Sequence, residues 1–140
     1  MPMIEKINPP NIRTFGAYSQ GIKIDLGRRT MILVAGQLAA DAEGVPVAPG
    51  DIETQTRHVF ENIQTVLEAA GASMADVVKA QIFLTDMDQF AKVSAVRNEY
   101  FAAARPVSTL VEINRTVIAG CDIEIEVTAI INKQDEEVKR

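Results

Sequence analysis

The sequence predicts an α+β domain, a single sheet with two helices on one face. Three observations predict it. Apolar residues recur at helical spacing from Ile52 to Ala70, and again from Phe90 to Phe101. Strict alternation marks a final strand, with Ile123, Ile125, Val127 and Ala129 on one face and Glu124, Glu126 and Thr128 on the other. The elements follow in the order strands, helix, strand, helix, two strands, which fits helices gathered on one side of a sheet.

Each element has its own local reasons. Pro9-Pro10 marks an extended entry, and the apolar run Met31 to Ala35 reads as a buried strand that Gly36 ends. Gly44 to Gly50, with Pro46 and Pro49, is a loop by its breakers. Asp51 can cap the first helix through its carboxylate. That helix carries Ile52, Val59, Phe60, Ile63, Val66, Leu67 and Ala70 on one stripe, and Gly71 is its stop. Val77 to Leu84 reads as a strand. Thr85 or Asp86 can start the second helix, which carries Phe90, Val93, Val96, Tyr100 and Phe101, and Pro106 ends it or lies just beyond. Val107 to Ile113 is the next strand. If the helices cover one sheet face, the other needs water or a partner. Leu110, on a mixed face with Ser108 and Glu112, is compatible with a partner, although a lone surface leucine is ordinary.

Length and composition set the class. A chain of 140 residues is expected to form one domain, 1–140, and one of this size buries roughly 68–70% of its unfolded surface. No apolar run approaches the roughly 20 residues of a membrane span, and the N-terminus lacks the form of a signal peptide. One cysteine cannot form an internal disulfide, so a reducing cytoplasm is the expected location. The net charge of −5 argues against a general phosphate-backbone binder. The basic residues are Arg28-Arg29 and a tail, Lys133 with Lys139-Arg140, broken by Asp135-Glu136-Glu137, and they form no stripe.

Several chemistries are disfavoured early. One histidine, His58, and one cysteine, Cys121, do not make a metal-ligand spacing, so no metal is expected. His58 reads as a surface residue of the first helix, and Cys121 as a packed thiol. No nucleophile elbow is present. Gly16 and Gly21 do not make a dinucleotide loop, and no Gly-Lys-Ser/Thr occurs. Carboxylates, a phenol and backbone groups remain, and no cofactor is expected.

The segment Pro106-Val107-Ser108-Thr109-Leu110-Val111-Glu112-Ile113 resembles the C-terminal signature of the RidA/YjgF family, the reactive enamine/imine deaminases. In that pattern an arginine stands two residues after the proline, and an apolar-Glu-apolar triplet closes the strand. Phe15 to Gly21 is similar to the family's N-terminal Gly-x-Tyr-x-Gln-Gly segment, and Ile32 to Gln37 to its strand ending in Ser-Gly-Gln. Asn62-Ile63, Leu67 to Gly71 and Ile123 to Glu126 match further pieces in order. The resemblance implies a chorismate-mutase-like fold and a homotrimer with the small-molecule substrate in clefts between subunits. Some relatives are named endoribonucleases, a reading that the charge argument lowers without eliminating it, since a local basic patch can exist on an acidic protein.

The resemblance also assigns candidate site residues. Glu124 takes the water-orienting position and Tyr18 the position of a tyrosine lining the pocket. Gly36 and Gln37 are kept, Ala35 replaces a serine, and Leu110 replaces a small polar residue or cysteine. Ser108 replaces the arginine that binds the substrate carboxylate. Hydrogen bonds to charged groups are worth about 1.5–3 kcal/mol, so its loss costs on the order of ten- to a hundredfold in binding a 2-imino acid. Arg13 near Tyr18, or Arg115 after the signature, could substitute if its loop folds inward. Arg105, read as strand, faces away.

Each survivor has a plainer reading. A solvated strand face accounts for Glu124 and Glu126, and Tyr18 can be a packing residue with its hydroxyl bonded to backbone. Glu112 reads as a structural hydrogen-bond acceptor. Two functions follow. One is a cofactor-free hydrolase of an enamine, imine or amino-alkene other than a simple 2-imino acid. The other is a non-catalytic small-molecule-binding or chaperone-like trimer of the same fold.

Overall fold

A computed structural model describes residues 3–133 of the chain. The basic tail beyond Lys133 and the first two residues lie outside the described residues. The strands are β1 (Ile4–Ile7), β2 (Gly21–Asp25), β3 (Arg29–Leu38), β4 (Val77–Leu84), β5 (Val107–Glu112) and β6 (Ile123–Asn132). They form one sheet in the order β1-β2-β3-β6-β4-β5, and only β4 and β5 pair in parallel. The helices are α1 (Ile52–Ala69) and α2 (Phe90–Tyr100).

Helix α1 forms where its capping chemistry places it. The Asp51 carboxylate accepts from the Thr54 amide at 3.1 Å. At the other end Gly71 takes a φ of +86°, and the Ala72 amide donates back to the Leu67 carbonyl at 2.8 Å. That closure needs a left-handed residue, which glycine adopts without a Cβ penalty. The expected stripe of α1 is fully buried, against the inward residues of β3 and β6. The Phe60 ring stacks on Tyr100 at 4.6 Å and meets Phe101 edge-on at 5.1 Å, so one aromatic residue joins the two helices. Both helices close over one sheet face, as expected.

The structure corrects four local expectations. Gly36 does not end β3. The strand runs on to Leu38 through a bulge between Val34 and Gln37, because Gln37 still finds a partner in Ile125. The second helix starts later than Thr85 or Asp86. Met87–Gln89 form a 3₁₀ turn capped by the Asp86 carboxylate, and Phe90, the first residue of α2, is exposed. Arg105 is not on a strand. It takes a φ of +48° beyond α2, its amide bonded to the Phe101 carbonyl.

The fourth correction concerns the open sheet face. The β4–β5 register sets Ser108, Leu110 and Glu112 opposite Ala80, Ile82 and Leu84, all three buried on the helix side. Leu110 therefore packs against the core and does not offer itself to a partner on the open face. The residues that do are Val107 and Val111, together with Leu33, and half-buried Ile22, Ile24, Met31, Phe83 and Ile130 lie on the same side. That face is more apolar than the signature strand alone suggests.

Candidate functional site

Glu124 sits on the open face of β6, between Leu38 of β3 and Phe83 of β4. The bulge in β3 brings the Gly36 backbone against its carboxylate. A Cβ at Gly36 would lie 2.7 Å from Glu124 Oε2 and 2.9 Å from its Cγ. Glycine is required here by close approach, since no side chain fits. Half-burial pushes the Glu124 carboxyl above the usual carboxylate range, and the negative charge of Glu126 adds to the shift. Among the described residues nothing donates a hydrogen bond to the Glu124 carboxylate. A raised, unpartnered carboxylate beside a glycine can hold a water and take its proton.

The segment before β2 is fastened to β3 by a buried amide pair. Gln37 Nε2 donates to Gln20 Oε1 at 2.7 Å and to the Ala35 carbonyl at 3.1 Å. Gln20 Nε2 donates to the Arg13 carbonyl at 3.1 Å, and the Ala35 amide donates to the Gln20 carbonyl at 2.8 Å. These bonds occupy the Gln37 side chain and hold residues 13–20 above the bulge. The Gln37 amide and the Ala35 backbone groups are thus engaged within the chain, and of the two only Gln37 lines the cavity beside them. Tyr18 stands over Gly16, half-exposed, and its hydroxyl accepts from the Phe15 amide at 3.2 Å. Its own O–H remains to donate.

A cavity of about 820 Å³ opens beside this segment. Arg13, Phe15 and Tyr18 form one wall, and His58, Glu61 and Asn62 of α1 form another. Gly36 and Gln37 reach its floor, and Val117 stands at its margin. His58, read from sequence as an ordinary surface residue, is thus a lining residue. No local signal marks it, because the wall facing it comes from 40 or more positions away in the chain.

Glu124 itself does not line the cavity and meets it only through Gly36, and the remaining candidates do not gather at Glu124 within one chain. Ser108 and Leu110 are on edge strand β5, on the opposite sheet face, with β4 between β5 and β6. Arg115 is exposed in the loop after β5 and does not line the cavity. Glu112 accepts from the Met87 amide at 2.9 Å, which is the structural role expected of it. Cys121 is buried, with its thiol donating to the Ala39 carbonyl, and burial pushes its pKa up. No three His, Cys, Asp or Glu side chains converge as a metal-ion group among the described residues. No helix among them is long and apolar enough to cross a membrane.

Residues 9–131 match the family model described as Endoribonuclease L-PSP. A RutC family protein of Pyrococcus abyssi is 42% identical over 122 residues, which cover 87% of this chain and 91% of that one. The 2-iminobutanoate/2-iminopropanoate deaminase of Salmonella typhimurium is 36% identical over 118 residues, or 82% of this chain and 86% of that one. Among solved structures, the YjgF gene product of E. coli matches with a TM-score of 0.76 at 32% identity, covering 90% of this chain and 98% of that one. E. coli TdcF with bound serine matches with a TM-score of 0.78 at 28% identity, covering 91% and 99%.

Proposed function

Because the chain belongs to the Endoribonuclease L-PSP family, the RidA/YjgF proteins, we propose that it is a deaminase-type hydrolase of an enamine, imine or related amino-alkene. The single observation that carries this reading is the Glu124 carboxylate, half-buried and unpartnered against Gly36. In the proposed reaction a water held by Glu124 bonds to the C=N carbon and gives its proton to the carboxylate. The carboxylate returns that proton to nitrogen, giving a carbinolamine. The hydroxyl proton then passes to nitrogen by the same carboxylate as the C–N bond breaks, and the products are a carbonyl compound and ammonia. Tyr18 donates its O–H to the substrate. General acid–base help of this kind is worth about 10²–10⁴-fold, and the chemistry calls for no cofactor.

The substrate lies where the cavity meets the Gly36 bulge, at the margin of the face that a partner copy covers. The apolar open sheet face supports such an assembly, and a homotrimer is the form the family resemblance implies. We expect light scattering at micromolar concentration to give the mass of three chains. A stable monomer overturns the assembly and the cleft with it. Obligate interfaces typically bury more than about 2,000 Å², so dilution is not expected to dissociate it. One buried thiol suits a reducing, cytoplasmic setting. With a net charge of −5, a nuclease reading has little support.

The test is direct. An enamine or imine generated in situ is hydrolysed faster with the protein than without it, and ammonia is released. With 2-iminopropanoate, however, turnover is expected to be about ten- to a hundredfold below that of an arginine-bearing relative assayed alongside, because Ser108 cannot pair with the carboxylate. Equal turnover overturns the claim that the substrate class has changed. No acceleration for any imine leaves the binding module as the better reading.

A further inference from the structure

We propose that Arg13 is the anion anchor of this chain, and that its ligand is a ring-sized aromatic or conjugated monocarboxylate. The proposal deepens the deaminase reading and rests on it only for what happens at the far end of the ligand.

Three arginines compete for the role, and position separates them. Arg115 and Arg105 are both exposed, and neither lines the cavity. Arg13 lines the cavity on the same wall as Tyr18. Its guanidinium lies 4.7 Å from the centre of the Phe15 ring, and Nη1 donates to the Ala42 carbonyl at 3.2 Å. Those two contacts hold the plane of the group. They leave most of its five N–H donors unused, and no carboxylate pairs with it among the described residues. An oriented guanidinium without a counter-ion on a cavity wall is what a carboxylate needs for a two-pronged contact.

Size and lining narrow the class. Pockets of roughly 300–1,000 Å³ hold drug-sized ligands, and a three-carbon acid leaves most of about 820 Å³ empty. Phe15 and Tyr18 are each 51% exposed and Val117 is 89% exposed, all lining the one cavity. The two uncovered aromatic rings beside a cation favour a planar, unsaturated body. Glu61 and Asp41 also line the cavity, and they oppose a second negative charge. A monocarboxylate therefore fits better than a dicarboxylate. With the carboxylate on Arg13, the other end of such a molecule is free to lie at Gly36, against which Glu124 packs.

Calorimetric titration of the full-length protein tests this with benzoate, pyruvate, phthalate and benzyl alcohol. Benzoate is expected to bind at least about tenfold more tightly than the other three. Arg13→Gln lowers benzoate affinity about ten- to a hundredfold and leaves benzyl alcohol unchanged, while Arg13→Lys recovers part of the loss. Arg13 is an exposed loop residue, and circular dichroism checks that each variant is folded. Unchanged benzoate binding in Arg13→Gln overturns the proposal, as does a loss seen instead in Arg115→Gln. Binding is read without turnover, so the two readings fail separately. Arg13-dependent binding with no imine hydrolysis sinks only the deaminase. Hydrolysis with Arg13-independent binding sinks only the anchor.

Discussion

Glu124→Gln is expected to lower kcat for imine hydrolysis about 10²–10⁴-fold, the usual contribution of a positioned acid–base group. The amide keeps the shape and the hydrogen-bonding capacity, but it cannot take a proton from water. Gly36→Ala tests the same contact from the other side. Its Cβ would press within 2.7 Å of Glu124 Oε2, so the carboxylate must move and activity should fall with it. The pH profile gives an independent readout. Burial, and then Glu126, raise the Glu124 pKa, so the acid limb of kcat should lie above the usual carboxylate range. Glu126→Gln removes the like charge and should move that limb to lower pH. Stability follows the opposite sign. A folded pKa above the unfolded one makes folding favour the protonated form. That contribution is complete below the unfolded carboxylate pKa and is lost as pH rises through the folded one. Ionised Glu124 therefore costs stability at neutral pH, and Glu124→Gln should melt at or above the wild-type temperature at pH 7. A variant that keeps its kcat, or one that loses activity only by unfolding, removes Glu124 from the mechanism.

What could be read in advance followed from how local each signal is. Ile123 to Ala129 alternate without a break, and the α1 stripe runs from Ile52 to Ala70, so each identifies itself. Strands β1 and β2 do not. Ile4–Ile7 shows one buried position in four, and Gly21–Asp25 is five residues long and opens on a glycine. Both are defined by pairing with their neighbours more than by their own residues. The bulge at Gly36 was hidden for a related reason. A glycine after an apolar run reads as a stop, and only the pairing of Gln37 with Ile125 reveals the continuation. The face of Leu110 depends on its register with β4, which one strand cannot specify. Resemblance marked Tyr18, Gly36, Gln37 and Glu124 as site residues, and the structure puts the first three on the cavity and the fourth against Gly36. It could not choose among the arginines or find His58. The cavity is made from four separated stretches of chain, and its walls face one another only in the folded protein.

The largest stability effect is expected at Gln55, a fully buried polar residue in the first turn of α1. Its Nε2 donates to the Gly120 carbonyl at 2.7 Å and to the Val47 carbonyl at 3.0 Å. Its Oε1 accepts from the Asp122 amide at 3.0 Å. One side chain therefore ties the loop before α1 and the loop before β6 to the helix. Gln55→Leu fills a similar volume but leaves two carbonyls and an amide without their partner. A fully buried group left without a partner costs about 1–3 kcal/mol. These three are part-buried, and allowing for their partial exposure and local relaxation the sum should be about 3 kcal/mol. For a chain of this length that lowers the melting temperature by roughly 10 °C. Differential scanning calorimetry checks it, and a midpoint within about 2 °C of wild type would mean that the loops are held by other contacts. The loops that Gln55 holds also carry cavity residues, Gly44 on one side and Val117 and Ile118 on the other. Loosening them should weaken benzoate binding even well below the melting temperature, with Arg13 and Glu124 both intact. A residue that contacts no ligand would then change affinity, because the cavity walls come from loops held in place from the buried side of α1.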